Sequence, residues 1–292
     1  MMIYITKERV VQLHLNKGEL VLTMSSNNLR VALIQTPIQL GQPEVNREHI
    51  LMLMEQAANM SPKPDLIVLP EMWNTGYALE EIHEIADVAG QRSKEWLSSF
   101  AKRHEIIVVG GSIAEKNGEN ITNSMYVFDR QGEQIAKYSK IHLFCLMNEE
   151  KYLKSGDHKV TFEIDHHFTA GASICYDIRF PELARSLALD GAKVLFVSAE
   201  WPHPRLHHWR TLLMARAIEN QMYVVACNTV GVSGDTSFFG HSMIIDPWGE
   251  IIAEGGEGEE IVIGEISPAL VDDVRGRIPV FSDRRPDLYS IN

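Results

Sequence analysis

Thr169-Ala-Gly-Ala-Ser-Ile-Cys175-Tyr-Asp-Ile-Arg-Phe-Pro-Glu182 is a run of small and apolar residues that ends in a thiol. Pro181 then opens a helical segment, Glu182 to Asp190, which stops at Gly191. Strand signals before the cysteine and helix-start signals after it place Cys175 on a tight strand-to-helix turn. Such a turn displays a nucleophile well, because it exposes the side chain and points the following backbone N–H groups into the same space. A cysteine acts as a nucleophile through its thiolate, so partners able to take its proton have to come from elsewhere in the chain.

Two other stretches offer them. Asp65-Leu-Ile-Val-Leu-Pro70-Glu71 reads as a buried strand that ends in a carboxylate. Tyr138-Ser-Lys140-Ile-His142-Leu-Phe144 sets a lysine among apolar neighbours at the end of another segment. A glutamate at a strand tip, a lysine and a cysteine on an elbow, in this order, resemble the Glu-Lys-Cys triad of the nitrilase superfamily, the carbon–nitrogen hydrolases. The resemblance runs from about Leu29 to the C-terminus. Cys175 to Glu182, together with Trp201-Pro-His-Pro-Arg-Leu-His-His-Trp209, is similar to the small amidases of the omega-amidase type.

The resemblance implies an α/β protein built as a four-layer α-β-β-α sandwich. It also implies a cofactor-free reaction through a cysteine thioester, with Glu71 as general base, Cys175 as nucleophile, and Lys140 with the backbone N–H of Tyr176 holding the oxyanion. Family members carry a second glutamate on the loop after the lysine. Asn148-Glu149-Glu150 offers two candidates, of which loop alignment favours Glu149. Arg179 is a candidate fork for a distal substrate carboxylate, in amides such as 2-oxoglutaramate. Its alternative role is a structural salt bridge with Asp177 or Glu182. Phe144, Met147 and Trp201 are candidates for an apolar wall, and Tyr77, six residues after Glu71, for a further pocket residue. The alternative for Phe144, Met147 and Trp201 is ordinary core.

The chain has 292 residues with 45% hydrophobic content, enough for a sizeable core. With 39 acidic against 27 basic residues, it disfavours nucleic acid or an anionic membrane as partner. Three cysteines without paired spacing suggest a reducing compartment, and no apolar run approaches the roughly 18 residues of a membrane span. These features predict a soluble cytoplasmic protein, and the resemblance implies that it acts on a small amide. The tail Arg275 to Tyr289 looks like the arm, from about residue 270, that family members pack across a partner, implying a homodimer or a larger even oligomer.

Residues 1–28 differ from the rest. Lys17-Gly18-Glu19 can be encoded by AAA-GGA-GAA, a purine-rich ribosome-binding sequence shortly before Met24, so residues 1–23 read as translated leader. The alternative is a hairpin, Val10–Leu15 with Glu19–Thr23. Residues 29–292 read as one domain. Strands are predicted at Leu29–Gln35, Asp65–Pro70, Ile106–Gly111, Asn123–Asp129, Gln134–Ser139, Lys193–Ser198, Tyr223–Asn228, His241–Asp246, Glu250–Glu254 and Ile261–Ile266, where the regular part closes. Helices are predicted at Asn46–Asn59, Ser93–His104 and Trp209–Asn220. Alternating strands and helices argue for α/β, while the hairpins argue against a purely parallel sheet.

Other motifs carry less. His203 and His207 stand at i, i+4, but Pro202 and Pro204 interrupt a helix there and no acidic ligand accompanies them, so no metal site is expected. Cys145 and Cys227 read as structural, and Gly231, Gly234, Asp235 and Gly240 as a surface loop. The rivals to an amidase are an N-carbamoyl-amine hydrolase or a nitrilase using the same triad and, in another class, a catalytically idle binding protein of the same fold.

Overall fold

The structure is a computed structural model that describes residues 4–6, 9–16, 19–25, 28–165 and 168–289. The chain begins with three strands, β1 (Tyr4–Thr6), β2 (Arg9–Asn16) and β3 (Glu19–Ser25), in an antiparallel sheet that shares no strand with the others. β2 and β3 pair from Asn16↔Glu19 to Val10↔Ser25, where the hairpin alternative places them, and Lys17 and Gly18 of its turn lie outside the described residues.

There follow β4 (Leu29–Gln35), α1 (Pro43–Ala58), β5 (Leu66–Val68), α2 (Ile82–Ile85), β6 (Asp87–Val88), α3 (Gln91–His104), β7 (Ile107–Asn117), β8 (Asn120–Phe128), β9 (Gln134–Ser139), α4 (Glu149–Tyr152), β10 (Thr161–Ile164) and β11 (Phe168–Ile174). The second half runs α5 (Pro181–Leu189), β12 (Val194–Ala199), α6 (Leu206–Asn220), β13 (Tyr223–Asn228), β14 (Val230–Ser233), β15 (Thr236–Phe239), β16 (Met243–Ile245), β17 (Ile251–Glu254), β18 (Glu260–Ile266) and α7 (Pro268–Arg277).

Two large sheets result. A seven-stranded sheet has the order β18-β4-β5-β7-β8-β9, with β6 also on β7, and a six-stranded sheet has the order β10-β11-β12-β13-β16-β17. Each has a parallel centre, β4-β5-β7 in one and β11-β12-β13 in the other, with antiparallel strands outside except for the short β6, which is parallel to β7. Successive residues of a strand face opposite sides, and β4 shows what that achieves. Val31 and Leu33 join the core that continues into the second sheet, while Ala32 and Ile34 pack with Ile50, Leu53 and Met54 of α1 and with Leu97 and Phe100 of α3. On the far side, Leu187 of α5 and Trp209 and Leu213 of α6 cover the six-stranded sheet. The layers are therefore α-β-β-α, as the resemblance implies.

The structure departs from the sequence reading in several places, and β7, for one, runs past the expected end at Gly111 to Asn117. Gly231, Gly234 and Asp235, expected in a surface loop with Gly240, belong to the β14–β15 hairpin, with Gly234 at its tip at φ +60°. The regular part does not close at Ile266, because Ser267-Pro268 starts α7 and Arg275 Nη2 donates to Ala192 O at 2.7 Å, fastening that helix to its own chain. Cys145 is exposed in a turn rather than structural, whereas Cys227 is buried and its thiol contacts Ile34 O. Among the described residues, no helix is long and apolar enough to cross a membrane.

Candidate active site

Backbone geometry places the thiol first. β11 ends at Ile174, Cys175 takes φ +44°, a 3-10 turn covers Cys175–Arg179, and Pro181 starts α5. A non-glycine residue in left-handed backbone is held there by its surroundings, at a cost of order 1–3 kcal/mol. The holding group is Asp177. Its Oδ2 accepts from Ile174 N at 2.9 Å and from Tyr138 Oη at 2.6 Å, and its Oδ1 accepts from His142 N at 3.2 Å. One buried carboxylate thus ties the elbow to the segment that carries Lys140.

Glu71 is set by β7. A bulge between Val109 and Ser112 brings Gly111, at φ +60°, so close to the Pro70 carbonyl that a Cβ there would lie 2.1 Å from the oxygen. Ser112 N donates to Pro70 O at 3.1 Å and Trp73 N to Ser112 O at 3.0 Å, which fixes the backbone on both sides of Glu71. Ser198 Oγ of β12 donates to Leu69 O at 2.9 Å and joins the two sheets next to the site.

The side chains then meet in a closed cluster. Glu71 Oε1 accepts from Tyr77 Oη at 2.6 Å, from Asn123 Nδ2 at 2.8 Å and from Lys140 Nζ at 2.9 Å, while Oε2 accepts from Glu200 N at 2.8 Å. Lys140 Nζ also donates to Glu149 Oε1 at 2.7 Å, and Glu149 Oε2 accepts from Phe144 N at 3.1 Å. Glu149 is buried and Glu150 exposed, so of the two adjacent glutamates only the first reaches the lysine. Tyr77 Oη lies 2.8 Å from Glu149 Oε1 as well as beside Glu71, and its single proton serves one carboxylate at a time.

Burial and charge set the protonation of this cluster. Burial raises the Glu71 pKa, but the Lys140 charge and hydrogen bonds from Tyr77, Lys140 and the Glu200 amide outweigh it, and the net shift is downward. Glu71 is therefore a resting carboxylate. Burial lowers Lys140, but the Glu71 and Glu149 charges overcome this and keep it an ammonium. The Cys175 thiol is pushed well up, chiefly by burial and then by Glu71, with Lys140 opposing.

A narrow cleft opens beside the cluster, lined by Cys175 and Tyr176 of the elbow and by Tyr77, Phe144, Met147, Glu149, Arg179 and Trp201. Arg179 forms no ion pair with Asp177 or Glu182 among the described residues. Its guanidinium lies 4.7 Å from the Trp201 ring centre and 6.0 Å from that of Tyr176. Burial, with the nearby Arg205 charge, lowers its pKa, as befits a cation short of a partner.

Glu200, Pro202 and Arg205 also line this cleft, and Asn123 donates to Glu71; the sequence reading gives none of them a role in the site. Glu200 had a readable signal, being an ionisable residue just past a buried parallel strand beside the elbow strand, where ligands bind in such sheets. Arg205 and Asn123 had none. His207 and His208 fall in the first turn of α6, His208 Nδ1 lies 3.4 Å from Arg179 Nη2, and His203 packs edge-on to Phe239. Among the described residues, no three His, Cys, Asp or Glu side chains are grouped to hold a metal ion.

A four-layer α/β sandwich with a cysteine elbow facing a buried Glu-Lys pair defines a class of thiol hydrolases. The chain belongs to the carbon–nitrogen hydrolase family, whose model matches residues 30–276. It is 47% identical to 2-oxoglutaramate amidase of Bacillus subtilis, over 89% of this chain and 98% of that one. It is 34% identical to omega-amidase NIT2 of Homo sapiens, over 90% and 98% of the two chains. The crystal structure of Saccharomyces cerevisiae Nit3, a nitrilase-superfamily member, superposes with TM-score 0.82 at 32% identity, covering 89% of this chain and 97% of that one.

Proposed function

We propose that the protein is a thiol amidase that hydrolyses the C–N bond of a small carboxylate-bearing primary amide, of the 2-oxoglutaramate kind, through a Cys175 thioester. The observation that carries this reading is one cleft lined by the elbow thiol, by Glu149, through which the buried Lys140 and Glu71 are joined, and by two arginines, Arg179 and Arg205. The names of the Bacillus subtilis and human relatives point to the same substrate class.

The protonation states decide the order of events. Moving a proton from a thiol held high to a carboxylate held low is uphill, so free thiolate does not accumulate. Sulfur attacks the amide carbon as its proton passes to Glu71. The carbonyl oxygen gains negative charge and is held by the Lys140 ammonium and the Tyr176 N–H, which lies in the first turn after the strand and has no carbonyl behind it. As Lys140 turns to the oxyanion, its hold on Glu71 weakens and the carboxylate becomes a better base. Collapse of the tetrahedral adduct breaks the C–N bond, the nitrogen takes the proton from Glu71, and ammonia leaves. Water then gives a proton back to Glu71 and its oxygen to the thioester carbon, releasing the acid and restoring the thiol. Glu149 and Tyr77 hold Lys140 and Glu71 in register throughout.

The test is ammonia release by purified protein from 2-oxoglutaramate, 2-oxosuccinamate, glutamine and N-carbamoyl amines. Turnover of the oxo-acid amides, lost by roughly 10⁴-fold in Cys175→Ala without a change in circular dichroism, is the expected result. Turnover confined to N-carbamoyl amines, with carbon dioxide released, moves the assignment to the carbamoyl class. Full activity in Cys175→Ala removes the thioester.

A further inference from the structure

Glu200 is 1% exposed and lines the reaction cleft, and neither of its carboxyl oxygens has a hydrogen-bond partner among the described residues. Leaving such a group unpaired costs on the order of 1–3 kcal/mol. The position is nevertheless firmly built. Glu200 N donates to Glu71 Oε2, Trp201 N donates to Asn228 Oδ1 at 2.7 Å, and Asn228 Nδ2 is anchored on Gly240 O at 2.8 Å. A rigid backbone that presents an unsatisfied carboxyl to a substrate cleft is a binding feature rather than a packing accident.

The charges around it decide its form. The charges that act on it are those of Glu71, Lys140 and Glu149, and Tyr77, Cys175, Arg179 and Arg205 line the same cleft. Lys140 is already shared by two carboxyl groups, Glu71 and Glu149, and a third buried anion beside them has no cation within hydrogen-bond reach. A protonated acid avoids that repulsion and supplies an O–H. Burial, and then the Glu71 charge, push the Glu200 pKa well above the ordinary carboxylate value, in the same direction.

The geometry points to Glu200 as a specificity-determining residue that binds substrate as an uncharged carboxylic acid, its O–H donating to an oxygen on the acyl chain beyond the scissile carbon. This rests on the amidase reading, which assigns the amide oxygen to Lys140 and Tyr176 and the amide nitrogen to Glu71. The Glu200 proton is then left for the acyl chain, in the cleft that Arg179 and Arg205 also line. The substrate class is narrowed accordingly. A favoured amide carries a carbonyl or carboxylate oxygen on its chain, and an alkyl amide of equal length does not use this donor.

The experiment compares Glu200→Gln, which keeps a donor but cannot ionise, with Glu200→Leu, which keeps only bulk. The readout is the ratio of kcat/KM for 2-oxoglutaramate to that for butyramide. Loss of one donor should lower the ratio about ten- to hundredfold in Glu200→Leu, and Glu200→Gln should restore it to within several-fold. An unchanged ratio in Glu200→Leu, or equal loss in the two variants, overturns the proposal. A second readout does not need turnover: the infrared difference spectrum of wild type minus Glu200→Gln at neutral pH should contain the C=O stretch of a protonated carboxyl, and its absence also overturns it. Wild type that releases ammonia from neither amide counts against the amidase reading, and the spectrum still decides the state of Glu200.

Discussion

Arg179 shows how much one side chain's meaning depends on what it does not touch. From the sequence, an arginine two residues from Asp177 and three from Glu182 reads as a substrate fork, with half of a salt bridge as the alternative. In the fold, Asp177 is fully engaged by Ile174, Tyr138 and His142, and the guanidinium rests instead on the Trp201 face at the cleft. A guanidinium stacked on an aromatic ring keeps its donor edge free for a carboxylate. Arg179→Ala should therefore raise KM for acidic amides by about ten- to hundredfold while leaving neutral amides within a few-fold. Equal rises for both substrates, measured by steady-state kinetics, would remove the fork.

The bulge of β7 performs at the level of an element what no single site residue can. It bends the strand towards the Pro70 carbonyl and fastens the residues on either side of Glu71 through Ser112. Gly111 permits this because its backbone is left-handed and its missing side chain leaves room for the Pro70 oxygen. Gly111→Ala should cost about 2–4 kcal/mol in urea unfolding, combining overpacking with left-handed strain. Because Glu71 has to move with the displaced backbone, kcat should fall at least tenfold even where the variant is folded. A variant with wild-type stability and kcat would show that Glu71 is placed by something other than this bulge.

Across the whole molecule, the buried cluster makes stability depend on pH in two opposite ways. The Glu71 pKa is lowered from 4.5 in the folded state, so its contribution is present above that value and is lost as pH falls through the lower folded value. The Glu200 pKa is raised from 4.5, so its contribution is complete below that value and is lost as pH rises towards the folded value. Glu71→Gln should flatten the Tm–pH curve on the acid side, and Glu200→Gln on the neutral side, each by at most about 1.4 kcal/mol per pH unit. Curves parallel to wild type for Glu200→Gln between pH 5 and 8 would show that Glu200 is charged in the folded protein.

The amino-acid order by itself determined the elements whose physics is local. Leu29–Gln35, Gln134–Ser139 and Tyr223–Asn228 are strands with the predicted ends, because runs of apolar residues bounded by turn formers have one extended solution. The elbow at Cys175 was legible for the same reason, through Pro181 and the small residues before it. The β14–β15 hairpin and α7 were not, since Gly-rich and mixed-charge segments take their shape from the surfaces they pack on. What only the tertiary structure decided is electrostatic. Glu71, Lys140 and Glu149 are 69 and 9 residues apart along the chain and meet within 3 Å, so their charges depend on one another. In the sequence, Glu200 shows only as an acidic residue just past a buried strand. Burial beside a lysine already shared by two carboxyl groups is what makes it an acid that holds its proton, and burial is a property of the fold.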